Sequence, residues 1–91
     1  MPRLSEDEIR RGLTRLPGWE RKGEAIHRRY AFPDFKAAMA FVNRVAILAE
    51  AANHHPDILV EYSKVTLTLS SHDSGGLTER DFALAGRIDA P

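Results

Sequence analysis

Residues 58–70 read Ile-Leu-Val-Glu-Tyr-Ser-Lys-Val-Thr-Leu-Thr-Leu-Ser. The runs from Ile58 to Tyr62 and from Val65 to Ser70 have the composition of two short strands joined by a tight turn. In the second run Val65, Leu67 and Leu69 face one way, while Thr66, Thr68 and Ser70 face the other. One apolar and one polar face is the pattern of an antiparallel sheet covered on a single side. If the pleat continues, His72 lies on the threonine side.

On the C-terminal side, Asp73-Ser74-Gly75-Gly76 reads as a loop. A helix start follows it. Thr78 can cap, Asp81 stands at the capping-box position, and Leu77 and Phe82 can form the hydrophobic staple. On the N-terminal side, Pro33-Asp34 opens a long helix with Asp34 as its cap. Phe35, Ala38, Val42, Val45, Ala49 and Ala52 recur along it at steps of three and four, and Phe41 and Leu48 widen the stripe. A stripe this wide suits packing against a sheet and leaves apolar surface for a second subunit. Pro56 disfavours helical geometry at His55, so the helix is expected to end there.

The first third repeats the same grammar. Ser5 and Glu8 form a second capping box, with Leu4 and Ile9 as its staple. Ile9, Leu13 and Leu16 extend that helix until Pro17-Gly18. Trp19 to Lys22 and Ala25 to Phe32 read as a hairpin about Gly23-Glu24. The predicted order is α-β-β-α-β-β-α. The predicted fold is α+β: a four-stranded antiparallel sheet with three helices packed on one face, in a single domain over residues 1–91.

Composition narrows the function. The chain has 91 residues, 13 basic and 13 acidic, for zero formal net charge. No strong field draws it to nucleic acid or to an anionic membrane. No apolar run approaches a membrane span, and no signal-peptide core stands at the start. There is no cysteine, which excludes thiolate chemistry and disulfides and fits a cytoplasmic protein.

The chemistry concentrates in Asn53-His54-His55-Pro56, with Glu50 one helical turn upstream and His72 beyond the second hairpin. Imidazole both gives and takes protons near neutrality. Neighbouring histidines point in different directions and cannot serve one atom. Glu50 and His54, four apart, would share a helix face, and a carboxylate beside an imidazole orients it and fixes its tautomer. Two exposed histidines at a helix C-terminus would be the plain alternative, but Glu50 and His72 within reach favour a site. A zinc site is less favoured, because adjacent histidines seldom converge on one ion. The nearby serines lack a nucleophile elbow. His27 reads as a surface residue.

Taken together, Glu50-Ala51-Ala52-Asn53-His54-His55-Pro56-Asp57, Tyr62-Ser63-Lys64-Val65, Leu69-Ser70-Ser71-His72-Asp73 and Gly76-Leu77-Thr78-Glu79-Arg80-Asp81 resemble the pterin-4a-carbinolamine dehydratases. The likeness also covers Gly18-Trp19, Phe32 to Phe35 and Asn43-Arg44-Val45-Ala46, nearly the whole chain in order. It implies the same four-stranded, three-helix fold and a homodimer or a homotetramer. It implies a hydro-lyase that dehydrates a 4a-hydroxytetrahydropterin to the quinonoid dihydropterin and so recycles the pterin of aromatic amino acid hydroxylases. No metal, nucleotide or other cofactor is implied. Animal members also serve as dimerisation cofactors of a transcription factor, so a protein-binding role is the alternative. The resemblance assigns His54 and His72 as acid and base and His55 mainly to holding substrate. It assigns Glu50 to anchoring the pterin or orienting the site, Pro56 to the turn, and Trp19 and Asp81 to the pocket or its margin. Asn53 departs from relatives with an acidic residue there.

Overall fold

The computed structural model describes residues 2–90. Helix α1 spans Glu6–Thr14, strands β1 and β2 span Glu20–Lys22 and Ala25–Ala31, and helix α2 spans Phe35–Ala52. Strands β3 and β4 follow at Asp57–Glu61 and Lys64–Leu69; after a 3₁₀ turn at His72–Ser74, helix α3 spans Glu79–Asp89. The sheet order is β1-β2-β4-β3, with every neighbouring pair antiparallel. This is the element order and fold class expected.

Local signals account for most boundaries. Ser5 Oγ accepts from the Glu8 amide at 3.1 Å, while the Ser5 amide donates to Glu8 Oε1 at 2.8 Å. That reciprocal pair satisfies two of the N–H groups a helix start leaves open. The Ala37 amide donates to Asp34 Oδ1 at 2.8 Å at the start of α2. Thr78 and Asp81 form the second capping box at α3.

The core lies between the helices and one sheet face. Ile26 of β2 and Val65, Leu67 and Leu69 of β4 are fully buried, facing Val45 and Ala49 of α2 and Leu84, Ala85 and Ile88 of α3. The other face carries Thr66, Thr68 and Ser70, so the alternation read from the sequence is the one observed. Tyr30, Phe32 and Phe41 stack with ring centroids 4.5 and 5.1 Å apart, and Trp19 meets Tyr30 edge-on. The stripe on α2 is less completely covered than its spacing suggests. Phe35 is 51% exposed, and Ile47, off the stripe, is 71% exposed. Trimming Leu67 to alanine is expected to cost about 2–5 kcal/mol, because a fully enclosed site collapses poorly.

A second set of bonds closes the far end of α3. Asp89 accepts from Trp19 Nε1 at 2.8 Å, Arg28 Nη1 at 2.7 Å and the Tyr30 hydroxyl at 2.5 Å. Burial, then the bond to Asp89, pushes the Tyr30 phenol well above its ordinary value. Arg44 of α2 donates to the Ile88 and Ala90 carbonyls at 2.7 and 2.9 Å, capping the open C=O groups of that helix end.

Asp89→Ala should destabilise the fold by about 2–4 kcal/mol in urea unfolding, because it removes the acceptor shared by the Trp19 indole N–H, the Tyr30 hydroxyl and Arg28. The raised Tyr30 pKa contributes stability below pH 10, the ordinary phenol value. That contribution fades as pH rises through the higher folded-state value. Tyr30→Phe should therefore lose less stability above pH 10 than the parent, measured by urea midpoints across the alkaline range.

Candidate active site

Helix α2 ends earlier than Pro56 alone would dictate. Asn53 takes the left-handed conformation, φ 50° and ψ 44°, which asparagine tolerates better than most residues. The His54 amide donates to Ala49 O at 3.1 Å and the Asn53 amide to Glu50 O at 3.2 Å, the paired bonds of a Schellman turn. The chain has thus left the helix before either histidine.

That turn changes the pairing expected from helical spacing. Glu50 does not share a face with His54; its carboxylate accepts instead from His55 Nε2. His54 rotates inward, buried, and its Nε2–H donates to Asp81 Oδ1 at 2.5 Å. The other Asp81 oxygen accepts from Ser71 Oγ and from the Thr78 amide, each at 2.9 Å. Because the one Ser71 proton is used on Asp81, the Thr78 hydroxyl donates to Ser71 Oγ at 2.9 Å. Thr78 Oγ1 in turn accepts from the Arg80 amide. Every buried polar side-chain atom among the described residues has a partner. Arg80 adds a further tie from α3 by donating to the Asn53 carbonyl at 2.5 Å.

His55 and His72 reach a common place, an open cleft of about 400 Å³ on the polar face of the sheet. Thr68, Ser70 and His72 follow one another on one side of β4 and its continuation, as the alternation predicts, and all three line the cleft. Ala25 flanks them from β2, and Asp57 flanks them from β3, where it stands directly opposite Thr68. His55 lies two residues before Asp57 and Ser70 two after Thr68, and both line the cleft. Gly75 and Gly76 close the end beside Glu24. Gly76 is bridged to Ser71, and a Cβ there would lie 2.5 Å from Glu24 Oε2. The volume suits a small, partly enclosed ligand.

Other residues expected at the pocket lie elsewhere. His54 and Asp81 stand behind the cleft, joined to each other. Trp19 is in the core with its N–H committed to Asp89, and Pro56 does not line the cleft. Glu50 reaches the cleft through His55. Among the described residues no three His, Asp or Glu side chains gather closely enough to hold a metal ion, and no helix is long and apolar enough to cross a membrane.

A family profile described as pterin 4 alpha carbinolamine dehydratase matches residues 2–91. This chain belongs to that family. A Thermomicrobium roseum protein carrying the name pterin-4-alpha-carbinolamine dehydratase is 54% identical over 88 residues, spanning 97% of this chain and 95% of its own. A Brucella melitensis protein described as a transcriptional coactivator/pterin dehydratase superposes with a TM-score of 0.91 at 37% identity, over 96% of this chain and 95% of its own. A pterin dehydratase-like protein identified as a RuBisCO assembly factor in the alpha-carboxysome superposes at 0.65 with 29% identity, over 78% of this chain and 82% of its own. Membership of a dehydratase family sets the reaction class, a hydro-lyase.

Sequence reading passed over Asp57, Thr68, Ser70 and Glu24 as cleft residues. The threonine-face parity carried the signal for Thr68 and Ser70. Asp57 and Glu24 needed the strand order, which places β2 and β3 on opposite sides of β4.

Asp81→Ala should cost about 3 kcal/mol in urea unfolding, since it removes a helix cap and leaves buried His54 and Ser71 donors unmet. Asp81→Asn should cost less, because it preserves an acceptor for the Thr78 amide and Ser71.

Proposed function

We propose that this chain dehydrates a 4a-hydroxytetrahydropterin to the quinonoid dihydropterin and water. The observation that carries the reading is the convergence of His55 and His72 on one cleft in a member of this family. The C4a–O bond breaks as the hydroxyl accepts a proton and leaves as water. N5 gives up its proton, and its electron pair forms the C4a=N5 double bond. One acid and one base suffice, and two imidazoles on one cleft can fill both roles.

His55 and His72 are assigned here as the acid-base pair. Glu50 fixes the tautomer and orientation of His55. His54 becomes a positioning residue: its Nε2–H is committed to Asp81, and the bond holds the His-His turn against α3. Physiologically, the activity would return pterin oxidised by an aromatic amino acid hydroxylase to its reductase.

A second reading has a specific observation behind it. Strand β3 is a sheet edge, and Leu59 on it and Tyr62 just past it are 56% and 70% exposed. An exposed edge with apolar side chains favours pairing with another chain, a second copy first, giving a homodimer. The coactivator and assembly-factor descriptions of two structural relatives fit a protein-binding role on the same surface.

Dehydration of freshly generated 4a-hydroxytetrahydropterin, followed by ultraviolet absorbance with EDTA present, is the test. His55→Ala and His72→Ala should each lower kcat by about 10²–10⁴-fold. His54→Ala should lower kcat less and stability more. Undiminished turnover in the His55/His72 double variant would reject the assignment. If protein binding is the role, assembly should persist in that double variant.

A further inference from the structure

The histidines do not account for all of the cleft lining. His55, Ser70, His72, Gly75 and Gly76 line the cleft together, with Glu24 beside Gly76. Asp57 and Thr68, paired across β3 and β4, lie two residues along the chain from His55 and Ser70, about 7 Å away at the usual strand rise. Two carboxylates are in the lining. Glu24, by the glycines, is bonded to Arg21 at 3.1 Å and lies 3.7 Å from Arg3. The Asp57 carboxylate makes no hydrogen bond or ion pair among the described residues, and the residue lines the cleft opposite Thr68.

The substrate class has a matching polarity, given the dehydratase reading on which this inference rests. In a 4a-hydroxypterin, C4a and C2 sit across the pyrimidinone ring from each other. With the reacting hydroxyl between the histidines, the 2-amino group and adjacent N3–H point away from them. Those two N–H groups form a donor pair that one carboxylate can accept together. Charge-assisted, two-point acceptance is the stronger and more selective kind of hydrogen bonding. We propose that Asp57 is a specificity-determining residue that accepts the 2-amino and N3–H groups of the pterin, with the Thr68 hydroxyl beside it. It touches no reacting atom, so it acts equally on ground state and transition state.

Steady-state kinetics and equilibrium binding test this together. Asp57→Asn and Asp57→Ala should raise KM at least tenfold with kcat within about threefold, the pattern of lost uniform binding. Glu61→Gln, at the other end of β3, should match the parent, and far-ultraviolet circular dichroism should show all variants folded. Calorimetry with a 7,8-dihydropterin and its 2-desamino analogue gives the selective readout. The parent should prefer the amino compound by tenfold or more, since a site built to accept an N–H rejects ligands without one. Asp57→Asn should erase that preference. Turnover and discrimination unchanged in the Asp57 variants would overturn this inference and leave the dehydratase reading standing. A parent protein that neither binds the dihydropterin nor turns over the carbinolamine would overturn both.

Discussion

The Asp81 carboxylate is the constraint on which the site depends. It is completely buried, and an ionised carboxylate in that position is costly unless its lone pairs are met. Here they are met by His54, Ser71 and the first turn of α3, where the helix dipole also favours negative charge. Those donors come from three separate stretches of chain: the turn after α2, the end of β4 and the cap of α3. One side chain therefore sets where His55 and His72 emerge, although it touches neither. The arrangement is also brittle, because deleting any single donor leaves the others to solvate a buried charge.

Helix α3 is fastened at both ends by its own acids. Asp81 holds its N-terminus to the histidine turn. Asp89 holds its C-terminus to Trp19, Arg28 and Tyr30. The second attachment opposes the helix dipole, since an acid at a C-terminus is unfavourable. Arg28 beside Asp89 and Arg44 over the last carbonyls offset that cost. Helix α3 is thus tied to the rest of the molecule by side-chain bonds at both of its ends.

What could be read from the sequence divides along lines of physical range. Both capping boxes, the Asp34 cap, the strand pairing and the polar face of β4 are local patterns, and each has the form expected. The roles of the two adjacent histidines depended on where α2 stops. Proline at position 56 marks the last residue that could be helical; the left-handed Asn53 ends the helix sooner and interchanges which histidine meets Glu50. The one signal of that choice in residues 50–56 is Asn53 itself, an asparagine placed directly after the last apolar residue of the stripe. Asp81 looked complete as a cap, and its bond to His54, 27 positions away, is a tertiary fact. Trp19 and Asp57 are similar: which of them faces the cleft follows from packing and from strand order rather than from neighbours in sequence.

The separation of the Asp81 donors along the chain has a consequence for how the molecule is made. Loop closures of that span carry an entropic cost that local hairpins do not. Pairing β3 with β4 does not by itself tether the His-His turn, because the His54 bond needs Asp81 of α3. The bonds that fix the His-His turn therefore belong to the long-range part of the fold, not to its local hairpins.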